Sequence, residues 1–518
     1  MNRDYFCASI AVGLALSGGD LVSGQPVLLD ARLKVEQVAQ GLSGGVGQLV
    51  TSIVFVDPDT ILAVRRGDGK ILRIDLVPGQ SVTAGPQVAD LDIISPTASD
   101  SQTEYGVQGM CVHPGFATNR WIYIRYDRAQ NAGSDTLQST IATLPNFSAS
   151  TPTQSVIDRF VWDPSANAGA GALTFDLRIL STTIDTRYHH GGAPRFAPDG
   201  TLIASVGDLR HVTWIAGHSG LMLSSNYAGG ISLDAGVFLR LNDDGTIPAS
   251  NPWASGPAGA ERWFGYGTRN SFGIDFDPLT GALWATDNGE STFDEVNLVA
   301  PGFNGGHGDI MGPVGHPSQP GNLSGLVNLP GSQYADPKFS WLGTIGVTGI
   351  RHLYASALGP AFNDAVLVGG VNQGFLWLFR LNAARNAFTF TNPGLQDAVH
   401  DVADGYANPT GTEGQELLIG TGFGTTFAGT ISITLGHDRL PYVLTGNGRI
   451  YRISPVINCP LDCTGDYLID TSDLVTLLGR FGSAVVPYSP GDFDGNGTID
   501  TSDLVLLLSQ FGEDCTTL

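Results

Sequence analysis

Oxygen-bearing side chains alternate along GDFDGNGTIDTSDL, the stretch from residue 491 to residue 504. A calcium loop has its ligands at positions 1, 3, 5, 7, 9 and 12, with a glycine at position 6 for the sharp turn. Here the six ligand positions are occupied by Asp492, Asp494, Asn496, Thr498, Asp500 and Asp503. Gly497 stands at position 6, and Thr498 offers its main-chain carbonyl. The pattern predicts a calcium site rather than a solvated acidic turn.

The same pattern occurs earlier in the chain, where DCTGDYLIDTSDLVTLLGRFG (462–482) aligns with DFDGNGTIDTSDLVLLLSQFG (492–512). The ligand positions of this first loop hold Asp462, Thr464, Asp466, Asp470 and Asp473. Thr464 stands where the second loop has an aspartate, and Tyr467 stands where the glycine belongs. We therefore expect the second loop to bind calcium tightly and the first loop to bind it weakly.

Each loop runs into a helical pattern with leucine, valine and phenylalanine on one face, and neither repeat can bury that face alone. The tandem unit, residues 458–518, resembles a type I dockerin, a small α-helical module of EF-hand-like calcium repeats. At the places where dockerins carry recognition side chains, the chain has Thr471, Ser472, Thr501 and Ser502. The resemblance implies a cohesin-like scaffold protein as partner. The alternative is a calcium-bound cap that stabilises the end of the chain.

Two other stretches place polar groups next to glycine-rich turns, YHHGGAPRFAPDG (188–200) and FGYGTRNSFGIDFDP (264–278). The first has His189 ahead of paired glycines, and the second has the pair Arg269 and Asn270. A histidine within reach of a substrate hydroxyl is a natural general base, because imidazole titrates near neutral pH. The residues alone fit a hydrogen-bonded structural histidine equally well, so both interpretations stay open at this point.

Composition sets the frame for these motifs. The chain has 518 residues, of which 42% are hydrophobic, so it can bury a large core in one large domain or two ordinary ones ahead of the C-terminal repeats. Its formal charge is −23, which argues against nucleic acid and anionic membranes as partners. Beyond the N-terminus, no stretch approaches the roughly 20 apolar residues that span a bilayer.

The N-terminus predicts export. Arg3 precedes the short apolar run YFCASIAVGLAL, and small residues follow near Gly24, which is typical of a signal peptide over residues 1–24. A frayed tail is the alternative. We expect a secreted protein, periplasmic or extracellular.

The cysteines fit an oxidising compartment. Cys111 lies in a strand-like stretch and is expected to be a buried apolar thiol, whereas Cys459, Cys463 and Cys515 surround the C-terminal module. A disulfide between Cys459 and Cys515 would join the ends of that module. The sequence leaves the pairing among the three open.

Residues 30–455 are rich in glycine and turn dipeptides and lack helical periodicity, which indicates an all-β domain. A turn followed by a short β-rich strand recurs at 56–76, 112–128, 197–208, 277–289, 362–381 and 436–453. Radial stacking of small sheets buries both faces of each sheet and protects its edges. We therefore predict a six-bladed β-propeller of four-stranded blades, with a pair of β-sandwiches as the alternative.

The order of motifs along this domain resembles the soluble PQQ-dependent sugar dehydrogenases, the glucose/sorbosone dehydrogenase family, over about residues 35 to 455. The motifs are EYGVQGMCVHPGFATNRWIYI, HHGGAPRFAPDGTLIASVGD, YGTRNSFGIDFDPLTGALWATDNGESTFDEVNLVAPGFNGG and WLGTIGVTGI. The resemblance implies a six-bladed propeller and oxidation of an aldose-type sugar or similar alcohol. It also implies PQQ and calcium as cofactors.

The resemblance also implies roles for single residues. His189 matches the general base that takes the proton of the sugar hydroxyl while hydride passes to the quinone. Arg269 matches the family's arginine at the quinone oxygens, and Asn270 its neighbour in the same role. The main-chain carbonyls at Gly289 and Glu290 match the ligands of a catalytic calcium. A further position, Glu104, matches a polar residue near the sugar.

The chain departs from the family at the cationic residues that bind the cofactor carboxylates. Asn372 stands where the family commonly has a lysine, and FAGTISITLGHD (427–438) contains no arginine. Arg439 is a candidate replacement. These departures favour a second hypothesis, a propeller without cofactor that binds carbohydrate or protein. A third hypothesis, a hydrolase or lactonase, requires a carboxylate cluster around a metal in the channel.

Overall fold

The computed structural model describes residues 26–44, 49–95, 104–129, 142–143, 153–184, 188–209, 234–319, 321, 323–372, 374–390, 395–400, 417–421, 423 and 428–517. The predicted signal peptide, residues 1–24 with Cys7, lies outside the described residues. Within the described ranges, the chain forms six mainly antiparallel sheets of four to six strands and a seventh, two-stranded sheet.

Two of the larger sheets have four strands each. The first contains Val50–Asp57, Thr60–Arg65, Lys70–Asp75 and Gln87–Asp90. The second contains Val107–Val112, Trp121–Ala129, Thr153–Asp163 and Ala172–Ile184. The two-stranded sheet pairs Ile94–Ser95 with Ala142–Thr143.

The other four sheets are wider. The third contains Arg195–Phe196, Leu202–Val206, Val237–Leu241, Trp263–Tyr266, Phe303–Asn304 and Gln333–Tyr334. The fourth contains Ser271–Phe276, Leu283–Asp287, Asp294–Val299, Phe339–Trp341 and Val399–His400. The fifth contains Val347–His352, Ala365–Gly370, Leu376–Leu381, Phe388–Thr389, Leu417–Thr421 and Val27–Leu28. The sixth contains Thr430–Leu435, Pro441–Thr445, Ile450–Pro455, Leu33–Gln40 and Val82–Thr83.

The first-named strand of each of these six sheets is its inner strand. Neighbouring sheets contact each other through the inner strands or the strands next to them, and the sixth sheet returns to contact the first. A cavity of about 400 Å³ runs between the inner strands and is lined by residues of all six. The sheets therefore form a closed ring around a channel, which is a propeller, and the alternative of paired β-sandwiches is wrong.

Burial on both faces of the sheets explains this arrangement. Seven consecutive residues of Val50–Asp57 are buried, and apolar clusters lie between neighbouring sheets, as where Ile71 of the first sheet and Val156 of the second share a cluster. Large aromatic side chains fill the gap between the fourth and fifth sheets, among them Trp341 and Trp377. The prediction of uniform four-stranded blades is wrong, because distant segments add outer strands to four of the sheets.

The two ends of the β-domain meet in one sheet. Leu33–Gln40 pairs antiparallel with Ile450–Pro455, so an N-terminal strand completes the sheet that the C-terminal strands begin. Such pairing closes the ring with main-chain hydrogen bonds. Helices are few within the described residues. The α-helices are α1 (Phe116–Asn119), α2 (Thr471–Leu478) and α3 (Thr501–Ser509), and the 3-10 turns are Asn167–Gly169, Leu323–Gly325, Pro360–Phe362 and Cys515–Thr517.

The C-terminal repeats each consist of an acidic loop and a short helix. Helix α2 begins after Asp470, and α3 begins after Asp500. In both, the N-cap aspartate accepts from the helix backbone, while the aspartate three residues on accepts from the N-cap N–H. This reciprocal capping satisfies backbone donors that the first turn leaves unpaired. The two repeats share one small core that includes Leu477 and Leu507.

A disulfide joins Cys459 to Cys515, whose Cα atoms are 5.7 Å apart. The sequence had left this pairing open. Cys463 stays a free, buried thiol. The prediction for Cys111 is confirmed, because that thiol is buried and burial raises its pKa to about 12.

The C-terminal repeats contact the propeller at the end of the ring where the inner strands finish. The guanidinium of Arg439 lies 4.0 Å from the ring centroid of Tyr488, and the hydroxyl of Tyr354 lies 3.0 Å from that of Ser489. Tyr354 and Arg439 follow the inner strands of the fifth and sixth sheets. Arg439 is therefore engaged at this contact, and the hypothesis that it replaces a cofactor-binding cation is not supported.

Candidate active site

His189 is buried at the opposite end of the ring, just before an inner strand, and its side chain contacts a buried carboxylate. Its Nδ1 forms a hydrogen bond with Oδ1 of Asp208, a residue that is 2% exposed. Nε2 of His307 lies 2.9 Å from the other oxygen of Asp208. Burial raises the pKa of Asp208, but the two histidines outweigh it and hold that pKa well below its usual value.

The low pKa of Asp208 decides which nitrogen of His189 carries the hydrogen and which keeps its lone pair. An ionised carboxylate can only accept hydrogen bonds, so Nδ1 of His189 carries a hydrogen and donates it. A neutral imidazole protonated at Nδ1 keeps its lone pair on Nε2. The side chain is thus prepared to accept a proton at Nε2.

The turn that carries His189 needs its two glycines. His189 itself has φ of 59° and Gly191 has φ of 79°, in the left-handed region that glycine adopts without cost. A Cβ on Gly191 would lie 2.3 Å from the carbonyl oxygen of Ser205, and one on Gly192 would lie 1.8 Å from that of Phe272. The paired glycines therefore let this turn pack directly against two neighbouring strands.

A buried arginine binds the main chain of the same turn. Arg125 donates to the main-chain carbonyls of His190, Gly192 and Ser205. Burial lowers the pKa of Arg125 to about 10, so the guanidinium is still charged at neutral pH. Nδ1 of His190 lies 2.7 Å from Asp127, which fixes the second histidine of the motif as well.

Glu104 joins the histidine turn to the Arg-Asn pair. Its Oε2 accepts the N–H of His190 at 2.9 Å, and Nδ2 of Asn270 lies 3.4 Å from its Oε1. Burial raises the pKa of Glu104, yet His189 and His190 lower it below its usual value. The structure thus brings Glu104, His189 and Asn270 into one place.

Arg269 and Asn270 are held by a buried carboxylate on the next strand. Their N–H groups donate to Asp287 at 2.9 and 2.7 Å, and burial raises the pKa of Asp287. Nη1 of Arg269 lies 3.0 Å from the carbonyl oxygens of both Asn288 and Gly289. Two main-chain carbonyls therefore converge on one cationic nitrogen, which is the donor chemistry that a calcium ion also requires.

The carbonyl that lies beside that of Gly289 belongs to Asn288, whereas the family resemblance implied Glu290. The N–H of Gly289 donates to Asp294 at 2.9 Å, and a Cβ there would lie 2.1 Å from the carbonyl oxygen of Thr292. The chain turns sharply at this glycine, and Glu290 beyond it is exposed.

Asn372 lies next to the start of a neighbouring inner strand. Its N–H donates to the carbonyl of Ile345 at 3.1 Å, and its Nδ2 would lie 2.8 Å from a Cβ on Gly346. The N–H of Ile345 donates to Asp294 at 2.8 Å, the carboxylate that also binds Gly289. Burial raises the pKa of Asp294 to about 6. Among the hydrogen bonds of the described residues, none joins Asn372 directly to the Arg-Asn pair.

Sequence reasoning missed a second cation at this site. Arg66 is close enough to Glu104 and Asp127 for both to raise its pKa, although burial outweighs them and lowers it. Its Nε is buried without a hydrogen-bond partner among the described residues. Arg66 and Arg269 together fit an anionic ligand, and an unused buried donor is an independent sign of one. The doublet in AVRRGDGK (63–70) was the available signal.

Asp208, Asp287 and His307 were also missed. Asp208 ends TLIASVGD, a repeat quoted for its strand, and His307 follows a glycine pair in GFNGGHG. The channel cluster of carboxylates that a hydrolase would need is not found among the described propeller residues, where no three acidic or metal-binding side chains place one ligand atom each within 4.8 Å of one another.

Three carboxylates converge in the second C-terminal loop. Oxygens of Asp492, Asp494 and Asp503 all lie within 4.8 Å of one another. Burial raises the pKa of Asp492, and the charges of Asp503 and Asp494 add to that effect. A divalent cation would relieve this repulsion, and carboxylate oxygens suit calcium. The donor set fits calcium.

The other predicted ligands of the second loop stabilise its turns. Oδ1 of Asn496 accepts the N–H of Thr498 at 2.8 Å. Oδ1 of Asp500 accepts the N–H of Ser502 at 2.8 Å, and the Ser502 hydroxyl lies 2.6 Å from Asp494. These bonds bring the loop oxygens to one side before any ion is considered.

The first loop has a looser arrangement. The hydroxyl of Thr464 lies 3.2 Å from Asp462 and 3.3 Å from Asp473, so it fills space that an aspartate would leave for a cation. Asp466 and Asp470 each accept the N–H two residues further on. No three carboxylates converge in this loop, whose residues are all described.

The fold matches a class of solved structures. The apo form of the soluble aldose sugar dehydrogenase from Escherichia coli is superimposed over 82% of this chain and 99% of its own, with a TM-score of 0.55 and 19% identity. The PQQ-bound form of aldose sugar dehydrogenase from Streptomyces coelicolor gives the same coverage, with a TM-score of 0.52 and 19% identity. The chain thus has the propeller fold of the soluble sugar dehydrogenases.

The family profile for glucose/sorbosone dehydrogenase matches residues 50–407, and the chain belongs to that family. An uncharacterized protein from Synechocystis is 25% identical over 67% of this chain and 76% of its own length. Quinoprotein glucose dehydrogenase B from Acinetobacter calcoaceticus is 28% identical over 49% of this chain and 49% of its own length.

In the part of the chain that the structure describes, no helix is long and apolar enough to cross a membrane.

Proposed function

We propose that this protein is a quinoprotein dehydrogenase that uses PQQ and calcium to oxidise an aldose-type sugar or a similar alcohol. The observation that carries the proposal is the arrangement of His189, whose Nδ1 is bound by Asp208 so that the lone pair of the neutral imidazole lies on Nε2. Membership of the glucose/sorbosone dehydrogenase family supports it, and so do the two cations at the same site.

Arg269, Asn270 and Asn372 would hold the cofactor, and Arg66 would add a second cation at the same site. Each charge-assisted hydrogen bond from an arginine contributes about 1.5–3 kcal/mol, so two arginines offset part of the missing lysine and arginines. The carbonyls at Gly289 and its neighbours Asn288 and Glu290 are candidates for the calcium. When bound, PQQ supplies the two-electron acceptor for the alcohol.

The residues of the chain handle the proton and the orientation of the substrate. His189 accepts the hydroxyl proton at Nε2, and the positive charge that results is stabilised by the carboxylate of Asp208 through Nδ1–H. Glu104, an ionised carboxylate at the same site, accepts hydrogen bonds from further sugar hydroxyls. Arg269 and Arg66 would place positive charge beside a bound anionic cofactor.

A dye-reduction assay on the protein reconstituted with PQQ and calcium tests this function. We expect the His189→Ala variant to lose activity by about 10²-fold or more, the usual contribution of a general base, with PQQ affinity by calorimetric titration little changed. A His189→Ala protein as active as the parent would contradict the mechanism.

The second candidate function is a propeller that binds carbohydrate or protein without a cofactor. It is favoured by Asn372, which stands in place of a cation, and by Arg439, which stacks on Tyr488 away from the site. Calorimetric titration of PQQ into the full, calcium-loaded chain separates the two. Micromolar or tighter binding with turnover refutes the binding module, and absence of binding refutes the dehydrogenase.

For residues 458–518 we propose a dockerin-like, EF-hand-like module that binds calcium and attaches the enzyme to a cohesin-like scaffold. Its two helices expose equivalent apolar positions, Val475 at 68% and Val505 at 62%, on a surface that a partner could cover. Retention on cohesin resin with calcium and loss in chelator is the expected result. Equal recovery in both would favour the alternative of a stabilising cap.

We further propose domain limits of 30–455 and 458–518, with one blade for each of the six larger sheets. The proposal of secretion rests on the signal-like residues 1–24 and on the Cys459–Cys515 disulfide, since such bonds persist in oxidising compartments. Detection of the mature chain in the periplasmic or extracellular fraction, beginning near residue 25, would support it.

A further inference from the structure

His307 shares with His189 a single buried carboxylate. Its Nε2 lies 2.9 Å from Oδ2 of Asp208, while Nδ1 of His189 binds Oδ1. The two histidines are far apart in sequence. His189 precedes the inner strand of the third sheet, whereas His307 follows Phe303–Asn304, an outer strand of the same sheet. Each oxygen of Asp208 thus has one imidazole donor.

The backbone around His307 is fixed independently of this bond. The N–H of His307 donates to the carbonyl of Gly267 at 2.9 Å, just before the Arg-Asn pair. Oδ1 of Asn304 accepts the N–H of Gly306 at 3.0 Å, and Gly306 has φ of 85°. The backbone that carries this imidazole is therefore held in a tight, hydrogen-bonded turn beside the Arg-Asn pair.

Donors on both oxygens prevent the carboxylate from rotating. With only His189 bound, the carboxylate of Asp208 could turn about its terminal torsion, which is broad and roughly two-fold. His189 would then be free to exchange its Nδ1–H for Nε2–H, because the bond that selects the tautomer would weaken. With His307 in place, Oδ1 stays directed at Nδ1.

We infer that His307 is a positioning residue that acts through Asp208 to keep His189 in the tautomer with Nε2 unprotonated. The inference rests on the proposed function for its catalytic consequence, but its structural content concerns only three side chains. Fixing the ring and tautomer of a reactive histidine through its second nitrogen is a general device, and loss of such a partner commonly costs 10- to 100-fold.

The test uses the full chain with 15N-labelled histidine, in the parent and in the variants His307→Phe, His307→Asn and His307→Gln. Glutamine can offer an N–H near the position of Nε2, whereas asparagine is too short and phenylalanine has no donor. The signals of His189 are assigned by their loss in His189→Gln. Circular dichroism identifies the variants that fold.

We expect His189 to be in the Nδ1–H form in the parent and in His307→Gln, and to show an increased share of the Nε2–H form in His307→Phe and His307→Asn. In the reconstituted enzyme, kcat should fall about 10-fold or more in the latter two with KM within about twofold, and recover in His307→Gln. One folded variant without the donor is sufficient.

The outcomes separate this inference from the proposed function. The same tautomer in all folded variants overturns the inference, whether or not the parent oxidises sugars. A shift of tautomer in the variants that lack the donor, together with a parent that has no PQQ-dependent activity, supports the positioning role and refutes the dehydrogenase. A shift together with reduced kcat supports both.

Discussion

Asp208 is the residue through which the site's two histidines are coupled. Its carboxylate accepts from His189 and His307, and its N–H donates to the carbonyl of Arg269 at 2.6 Å. A buried charge is tolerated only when it is fully hydrogen-bonded. The same bonds that keep Asp208 ionised therefore also set the geometry of the proposed base.

This coupling predicts a pH-dependent stability difference between the parent and Asp208→Asn. The pKa of Asp208 is lowered in the folded protein, so its contribution is present above the unfolded value of about 3.9 and is lost as pH falls through the folded value. We expect the parent to be more stable by about 1–3 kcal/mol from pH 5 to 8, and the difference to shrink below about pH 3.9.

Urea unfolding of both proteins from pH 3 to 8 at constant calcium measures this difference. A difference that grew as the pH fell would contradict the assignment of Asp208 as an ionised carboxylate. Asp199→Asn serves as the comparison. The pKa of this exposed aspartate is also lowered, by Thr201 and Arg240 against the effect of burial, so we expect a difference of the same sign that is smaller because solvent screens its ion pair.

At the scale of elements, each C-terminal repeat is a loop whose last ligand also caps the helix that follows. Asp503 lies in the carboxylate cluster of the second loop and accepts the N–H of Asp500 at 2.9 Å as part of the capping box. Asp473 has the same place in the first repeat and accepts the N–H of Asp470 at 2.9 Å. The two positions are therefore matched in structure but differ in the surrounding ligands.

Asp503→Asn should abolish the tightest calcium-binding event, whereas Asp473→Asn should leave it nearly intact. The reason is that only the second loop brings three carboxylates together. At free calcium 100 times the dissociation constant, binding stabilises the folded form by about 2.7 kcal/mol, and this gain should be absent in Asp503→Asn. Calorimetric titration of calcium into the chelator-treated full chain measures the affinity of each binding event. Equal loss in both variants would contradict the expectation of unequal sites.

At the scale of the whole molecule, the two functional regions lie at opposite ends of the ring. His189 and Arg269 precede inner strands, whereas Tyr354 and Arg439, which contact the C-terminal repeats, follow them. A partner bound to the exposed helices would therefore leave the proposed active site open. The contact also holds the repeats in a defined position on the propeller.

Tyr488→Ala should release the C-terminal repeats from this contact with the propeller. The substitution removes a cation-π contact worth about 0.5–1 kcal/mol and the packing around it, so the repeats should sample more positions. X-ray scattering should show an increased maximum dimension relative to the parent. Phe481→Ala, at an exposed position of the same repeats, is the control and should leave the dimension unchanged. PQQ affinity should be equal in all three proteins, because Arg439 lies at the other end of the ring from the proposed cofactor site. An unchanged maximum dimension in Tyr488→Ala would contradict the role of this contact.

The sequence by itself determined the features whose residues are neighbours in the chain. The proposed calcium loop is specified within twelve positions because the ligands of such a loop surround one ion in a single turn. The His-His-Gly-Gly and Arg-Asn motifs were also found locally. The all-β propeller was predicted from turn and strand repeats, because each sheet is built largely from consecutive strands.

Only the tertiary structure decided how these local pieces meet. The pairing of Asp208 with His307 spans 99 residues, and no spacing rule connects two such positions. Arg66 became part of the site because the first and second sheets adjoin, and Arg439 was removed from it because its strand ends at the other side of the ring. The outer strand Val399–His400 pairs with Phe339–Trp341 of the fourth sheet, although it follows strands of the fifth sheet along the chain. Contacts of this kind depend on how the sheets close around the channel, which is a property of the packed whole.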